Sequence, residues 1–158
     1  ATVCLAVPLY EQLELLKKNK VAVVCGILSG TLASLTGIFV LCMLFGFNHQ
    51  QYVTMLPKSI TTAIGIGISE ELGGIVTITV AVIIITGILG NVIADTVFHI
   101  FKIKNPLAKG LALGTASHAI GTARAIEMGP VEGAMSSLAV AVAGLLTVVF
   151  VSGFAQLI

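Results

Sequence analysis

Three long uncharged stretches constrain the fold of this chain more than any other feature of its sequence. Residues 21–45 form a run of 25 positions without a charged side chain, residues 72–94 a run of 23, and residues 133–158 a run of 26. Each run exceeds the roughly 20 residues that an apolar helix needs to cross the ~30 Å hydrocarbon core of a bilayer. The chain is therefore predicted to be an integral membrane protein.

The composition favours a membrane fold built of helices. Hydrophobic residues make up 57% of the 158 positions and charged residues only 9%, whereas a soluble domain carries about a quarter charged residues. A backbone in lipid must satisfy its own hydrogen bonds, and the alternating pattern of barrel strands is missing. We therefore predict an all-α, polytopic transmembrane helical bundle. The net charge of +1 gives no case for nucleic-acid binding.

The sequence offers no pattern typical of a metal site or a catalytic centre. Cys4, Cys25 and Cys42 lie in or beside apolar stretches, without CxxC or Cys/His spacing, and are interpreted as small core residues. No metal and no cofactor is predicted. An enzyme would need a nucleophile bonded to an oriented base, and none is recognisable. No catalytic residue is assigned, and the chain is predicted not to be an enzyme.

Two groups of lysines set the expected orientation. They are predicted to form basic loops, the first with Lys17, Lys18 and Lys20 and the second with Lys102, Lys104 and Lys109. The positive-inside rule assigns both loops to the cytoplasmic side. Residues 1–16 are interpreted as an apolar helix broken at Pro8, with an amphipathic continuation. Because the chain begins at Ala1 without a signal peptide, we expect a fragment or a processed product.

Residues 57–71 are predicted to enter the membrane without crossing it. Pro57 is a helix-start signal, and only about a dozen residues separate it from the acidic pair Glu70 and Glu71, too few for a span. Unsatisfied amides and the helix dipole would attract a carboxylate to such a start, and Lys58 would add a full charge. Candidate ligand-binding residues here are Lys58, Ser59, Thr61 and Thr62. The alternative is an interfacial cap with Lys58 reaching the lipid phosphates.

The stretch GTASHAIGTARA at residues 114–125 repeats Gly-Thr-Ala seven residues apart, about two helical turns. Its glycines weaken a continuous helix, and Ser117 with His118 is the predicted unwound point between two half-helices. The candidate ligand-binding residues are Thr115, Ser117, His118, Thr122 and Arg124. The alternative is a helix-packing seam, in which Arg124 pairs with Glu127 three residues later.

Two further patterns lie on the predicted spans. Asn91, Asp95 and His99 recur at every fourth position and share a helix face; they are either interfacial residues or an ion relay, and Asp95 joins His118 as a possible proton carrier. Small residues spaced by three or four positions are typical of a packing face in membranes. On the first span these are Gly26, Gly30, Ser34 and Gly37.

Five stretches together resemble one known family, the LrgB family. They are ATVCLAVPLY at residues 1–10, LPKSITT at 56–62, GGI at 73–75, GLALGTASHAIGTARA at 110–125 and EGAMSSLA at 132–139. The family includes bacterial LrgB and CidB, described as antiholin-like or holin-like, and the plastid glycolate/glycerate translocator. Family members usually carry further membrane segments before the first stretch, and often have proline where Ala63 stands here. We therefore expect residues 1–158 to be a single membrane domain without those N-terminal segments.

The resemblance implies a multi-pass protein of the bacterial inner membrane with one of two functions. The first is secondary transport of small monocarboxylates of the glycolate, glycerate, pyruvate and lactate class, through two broken helices that meet near the midplane. Lys58 or Arg124 would hold the carboxylate and His118 the coupled proton. The alternative is a holin/antiholin-like regulator of murein hydrolase release and cell lysis. It would act by membrane oligomer assembly, with a small LrgA/CidA-like partner. A homo-oligomer, a dimer, is expected from the commonness of symmetric dimers.

Overall fold

The structure is a computed structural model that describes residue 10 and residues 12–158. The predicted break at Pro8 lies outside the described residues. This part of the chain is all-helical, as predicted, and its seven helices are named in chain order. They are α1 (Leu13–Lys18), α2 (Lys20–Phe45), α3 (His49–Met55), α4 (Thr62–Glu71), α5 (Val76–Ile100), α6 (Pro106–Met128) and α7 (Pro130–Ala155).

Three of the helices are long and apolar enough to cross a membrane. These are α2, α5 and α7, with 26, 25 and 26 residues, and they confirm the spans predicted from the uncharged runs. Both predicted basic loops are wrong in detail. In the first, Lys17 and Lys18 end α1, and Lys20 begins α2 after a break at Asn19 alone. In the second, Lys109 lies in the first turn of α6 and not in the connection before it. Basic side chains at a helix end can stay in water, so a lysine cluster does not require a loop.

The polar stretch between α2 and α4 contains a short helix, α3. Gly46, with φ +65°, ends α2, and Asn48 and Gln51 form a capping box at the start of α3. Tyr52 is fully buried in α3, and its hydroxyl donates to the Phe154 carbonyl at the end of α7, 2.8 Å away. His49 is exposed, and its Nδ1 is 2.7 Å from the Ile158 carbonyl oxygen. The ends of α2 and α7 and the start of α3 therefore share one membrane face.

Residues 49–71 form a re-entrant hairpin, here called hairpin A. Its outgoing arm α4 runs antiparallel to α5, because Ser69 lies beside Thr79 and Gly65 lies deeper, beside Ile83. The predicted half-helix is present, but it begins at Thr62 instead of Pro57, with Thr61 as the extended N-cap. Residues 55–60 turn with i→i+3 hydrogen bonds. The fixed φ of proline suits such a turn as well as a helix start, so the start signal was misassigned.

Helix α6 folds back on itself and is called hairpin B. His118 has φ +44° and ψ −140°, which confirms the predicted break at Ser117-His118. Beyond it the chain reverses: a Cβ added to Gly121 would lie 2.9 Å from the carbonyl oxygen of Leu113. In a continuous helix, eight residues would separate these positions by about 12 Å. Only glycine allows the two arms to approach so closely.

The start of α7 packs against both arms of hairpin B. Gly110 on the first arm lies against Glu132, and Gly133 lies against Ile126 on the second arm. Both ends of hairpin B therefore lie at the membrane face where α7 begins. The lysines of α1, α2 and the α5–α6 connection lie at the same face, which we call the lysine-rich face.

The membrane elements alternate in direction along the chain. α2 runs from the lysine-rich face to the opposite face, hairpin A enters from that opposite face, and α5 returns. Hairpin B then enters from the lysine-rich face, and α7 crosses outward again. Each hairpin has its tip near the middle of the preceding span: Lys58 reaches Ser34 of α2, and His118 reaches Ile83 of α5. Spans and hairpins thus form two consecutive units of inverted topology.

The predicted small-residue face of α2 is packed against hairpin B in its first half and open further along. Gly26 lies against Leu111 and Gly30 against Thr115 of hairpin B, whereas Gly37 has no side-chain neighbour within 4 Å. The expectation for the cysteines holds for Cys42, which is buried, and is wrong for Cys25, which is exposed on α2. A lipid-facing position accepts a small thiol as readily as a core position does. Cys4 lies outside the described residues.

Candidate functional site

Lys58 is held at the tip of hairpin A by two hydroxyl groups. Its Nζ donates to Ser59 Oγ at 2.8 Å and reaches Ser34 Oγ at 3.5 Å, while Ser34 Oγ donates to Ser59 Oγ at 3.0 Å. The three residues are named the Lys58 cluster. Because the turn before α4 carries Lys58 and Ser59 and the middle of α2 carries Ser34, the cluster joins two membrane elements. From the sequence, Ser34 was predicted only to lie on a packing face, and no pattern indicated that it would contact Lys58.

The ammonium of Lys58 has no carboxylate partner in the part of the chain that the structure describes. Both ion pairs among those residues belong to Arg124. Removing a cation from water without a counter-ion is costly, and polar atoms of two serines compensate only part of that cost. The start of α4 lies close by, and no side chain caps it. The tip of hairpin A therefore carries net positive charge, which favours an anion.

A cavity of about 720 Å³ connects the Lys58 cluster with the lysine-rich face. Asn19 and Asn105 line its outer end, and Lys58 and Ser59 line its inner end. Its walls are α2 and the first arm of hairpin B, whose small residues leave the space open. Cavities of about 300–1,000 Å³ are typical of small-molecule sites. The volume of this cavity falls within that range.

The structure brings one of the predicted ligand-binding residues of hairpin B to the same site. Thr115 lines the cavity together with Lys58 and Ser59. Its hydroxyl donates to the Leu111 carbonyl at 2.8 Å, so its oxygen, and not its proton, faces the space. Of the nine predicted ligand-binding residues, Lys58, Ser59 and Thr115 meet at this cavity. Thr61 and Thr62 are half-buried at the start of α4, next to the tip.

His118 lies at the tip of hairpin B and packs against α5. Its side chain is 3% exposed, and its Nε2 is 3.0 Å from the Ile83 carbonyl oxygen, to which it donates in the corresponding tautomer. A Cβ added to Gly87 would lie 2.8 Å from the imidazole Cε1. The neighbouring Ser117 lies against Gly90 of the same helix. His118 therefore fixes the tip to α5, and its predicted role as a proton carrier stays a prediction.

Thr122 joins the second arm of hairpin B to α7. It is fully buried; its hydroxyl lies 2.8 Å from Ser136 Oγ and donates to the His118 carbonyl at 3.0 Å. This is the packing-seam alternative for the Gly-Thr-Ala repeat, and it describes Thr122 better than contact with a solute.

Arg124 lies apart from the Lys58 cluster, towards the lysine-rich face. Its guanidinium pairs with Glu127 at 2.7 Å, as the spacing predicted, and also with Asp95 of α5. Both carboxylates are largely exposed. The pair with Asp95 ties the second arm of hairpin B to α5, and the two pairs together engage both terminal nitrogens of Arg124. Two other residues were predicted to share a helix face with Asp95. Asn91 also contacts hairpin B, because its side-chain amide donates to the Ile120 carbonyl at 3.3 Å. His99 is exposed.

Comparison with known proteins finds similarity over nearly the whole chain. The model of the LrgB-like family matches residues 1–157. The antiholin-like protein LrgB of Bacillus subtilis strain 168 is 40% identical over 158 residues, which are 100% of this chain and 68% of that protein. The antiholin-like protein LrgB of Bacillus cereus strain B4264 is 42% identical over 154 residues, 98% of this chain and 67% of that protein. No solved structure matches the chain.

Proposed function

The chain belongs to the LrgB-like family, and on that premise we propose that it acts as an antiholin-like membrane protein. The names of its relatives carry this proposal. Of the two functions expected from the sequence, those names favour the holin/antiholin alternative over transport. Three helices of membrane-spanning length agree with a function inside the bilayer.

Antiholin-like action through assembly needs an outward face on which another membrane protein can pack. The small residues Gly26 and Gly30 are already used within the chain. Further along α2, Gly37, Leu41 and Leu44 share a face at helical spacing; nothing lies within 4 Å of a Cβ at Gly37, and both leucines are more than half exposed. A small residue among exposed leucines suits close approach of a partner helix. This part of α2 is the surface on which the proposal depends.

The test is regulation of murein hydrolase release in a bacterial host that lacks its own LrgB. Expression of the chain should lower extracellular hydrolase activity, measured by zymography of culture supernatants. Gly37→Leu should remove the effect while leaving membrane levels unchanged, because no described residue lies within 4 Å of a Cβ at this position. Gly67→Leu is the matched control, since Gly67 on α4 is also open. If the parent chain is present in the membrane at normal levels and hydrolase release does not change, the proposal is contradicted.

A second candidate function, transport of a small monocarboxylate, is favoured by one observation. Two re-entrant hairpins enter from opposite faces and carry their tips to the middle of the bundle. Secondary transporters of several folds bind their substrate between broken helices of inverted repeats, and the substrate anion faces helix N-termini. Lys58 lies at the end of a cavity and has no carboxylate partner within residues 12–158, which supports an anion as the solute.

The transport candidate assigns a task to each part of the site. The ammonium of Lys58 attracts one carboxylate, and the start of α4 adds the positive end of its dipole. A single cation balances a single negative charge, which favours monocarboxylates over dicarboxylates. The cavity lets the anion enter from the lysine-rich face. Tight contacts of Ser69 and Thr54 with Thr79 close the opposite end of hairpin A, at 2.8 and 2.9 Å.

Uptake of radiolabelled lactate into proteoliposomes tests the transport candidate. The parent chain should show saturable uptake, and Lys58→Ala should abolish it. Lys104→Ala removes the same charge from an exposed position and should leave uptake within about twofold of the parent, because an exposed charge is screened. The two functions separate if Lys58→Ala still controls hydrolase release. Parent vesicles that take up lactate no faster than empty ones would exclude this candidate.

A further inference from the structure

A second, very small cavity lies beside the Lys58 cluster. Its volume is about 10 Å³, and it lies between α2, the two hairpins and α7. This is about the space that one water-sized atom occupies. Five of the residues that line it carry a hydroxyl group; they are Thr31, Ser34, Ser59, Thr115 and Thr147. Three of those residues, Ser34, Ser59 and Thr115, also line the larger cavity, so the two spaces are neighbours.

Three of the five hydroxyl protons are already used. Thr115 donates to the Leu111 carbonyl at 2.8 Å, and Thr147 donates to the Ala143 carbonyl at 2.7 Å. Ser34 donates to Ser59 at 3.0 Å. These bonds are satisfied without anything in the small cavity.

The other two protons are not used. Thr31 is 3% exposed, and its Oγ1 is the one buried side-chain polar atom without a hydrogen-bond partner among residues 12–158 and residue 10. Ser59 Oγ accepts from both Ser34 and Lys58, and no hydrogen bond in the described part of the chain uses its own proton. Leaving a buried hydroxyl unpaired costs free energy. Two hydroxyl protons beside the small cavity, those of Thr31 and Ser59, are therefore free to donate to an acceptor.

The chemistry of this space selects for a particular atom. A carboxylate oxygen accepts hydrogen bonds and carries none to donate, so it fits beside two free hydroxyl donors. The adjacent ammonium of Lys58 repels a metal cation and attracts an anion. A water oxygen shares the acceptor chemistry but carries no charge to pair with Lys58, which has no carboxylate partner among the described residues.

We propose that the small cavity holds one oxygen of the bound anion, and that Thr31 is a specificity-determining residue. The remainder of the anion faces Lys58 and the larger cavity, and the inserted oxygen accepts from Thr31 and Ser59. This inference rests on the transport candidate. It gives a partner to the unpaired hydroxyl of Thr31, whereas Thr115 and Thr147 already donate to carbonyls of their own helices.

The proposal predicts two effects of one substitution, on stability and on affinity, that a purely structural role for Thr31 would not produce together. Thr31→Val keeps the shape but removes an unpaired buried hydroxyl, so the empty protein should unfold at the same or a higher temperature. The same variant should bind lactate about tenfold more weakly, because a hydrogen bond to a charged oxygen is lost. The affinity for lactate therefore falls while the unfolding temperature does not.

The experiment measures equilibrium lactate binding by isothermal titration, using the purified full chain in detergent micelles. Thr147→Val is the matched control: its hydroxyl lines the same cavity but already donates to a carbonyl, so affinity should stay within about twofold of the parent. Thr31→Ser restores the donor and should recover most of the affinity. Thermal unfolding of the four proteins supplies the stability readout.

The outcomes separate this inference from transport itself. If Thr31→Val binds lactate as the parent does, the small cavity holds only a water, and the inference fails while transport is untouched. If Thr31→Val weakens binding but the parent moves no lactate into vesicles, the oxygen site is supported and transport fails. A parent chain that binds no lactate overturns the inference directly.

Discussion

Hairpin A and hairpin B share a backbone arrangement but differ in the surroundings of their tips. Each enters the bundle from one face and turns near its middle, yet their tips differ in burial and charge balance. Lys58 at the tip of A is half-buried, lines a cavity of about 720 Å³ and has no carboxylate partner among the described residues. His118 at the tip of B is buried and hydrogen-bonded to the Ile83 carbonyl. A broken helix therefore does not by itself mark a ligand contact; what matters is whether its polar groups are already satisfied.

The largest expected effect concerns the entry side of hairpin A. Single cysteines at Gln50 and Glu71, in a chain whose native cysteines are replaced, should both react with a membrane-impermeant maleimide from one side. A cysteine at Lys104 should react only from the other side, because hairpin A starts and ends at the face opposite the lysines. All three positions are exposed. Reaction of Gln50 and Glu71 from different sides would show that residues 49–71 cross the membrane.

The next effect compares how tightly the two hairpins are packed. Gly121→Val should strongly destabilise hairpin B, since its Cβ would lie 2.5 Å from Ser117 Cβ and 2.9 Å from the Leu113 backbone. Overpacking of this kind costs about 1–3 kcal/mol or more. Gly67→Ala on hairpin A meets nothing within 4 Å and should be neutral or slightly stabilising in its helix. Thermal unfolding in detergent measures both; equal melting temperatures would contradict the hairpin geometry of α6.

A third, smaller effect contrasts the two tips in lactate binding. Lys58→Ala should weaken affinity about ten- to hundredfold through loss of a charge-assisted hydrogen bond, whereas His118→Gln should change it by less than about threefold. Isothermal titration provides the comparison. An affinity loss at His118 equal to that at Lys58 would show that both tips contact the anion.

The pH dependence of uptake tests the remaining prediction for His118. If its imidazole carries the coupled proton, lactate uptake should titrate between about pH 5 and 8, where histidine normally changes charge. His118→Gln cannot titrate and should flatten that profile more than it lowers the melting temperature. Uptake by this variant with the profile of the parent would leave His118 as an anchor between hairpin B and α5.

The smallest expected effect concerns Arg124. Its ion pairs with Asp95 and Glu127 lie at exposed carboxylates near the membrane face, where solvent and salt weaken such pairs. Arg124→Gln should therefore leave lactate affinity within about threefold of the parent. A loss comparable to that of Lys58→Ala, measured by the same titration, would make Arg124 a second anion ligand and remove the contrast between the hairpins.

The sequence by itself determined the features that depend on local composition. Uncharged length fixed the three spans, because lipid sets the number of apolar residues that a helix needs. The short distance from Pro57 to Glu70 excluded a span there, and the glycines around Ser117 and His118 gave the break in α6. These inferences hold because a membrane accepts few local conformations.

Contacts between distant elements were decided only by the tertiary structure. The reversal at His118 that makes α6 a hairpin, the pairing of Arg124 with Asp95 and the meeting of Lys58 with Ser34 each join segments that share no local pattern. The unpaired hydroxyl of Thr31 is likewise visible only once its neighbours are known. Spacing along a helix tells which residues share a face, but the packing of that face against other helices decides which polar groups find partners and which remain free for a ligand.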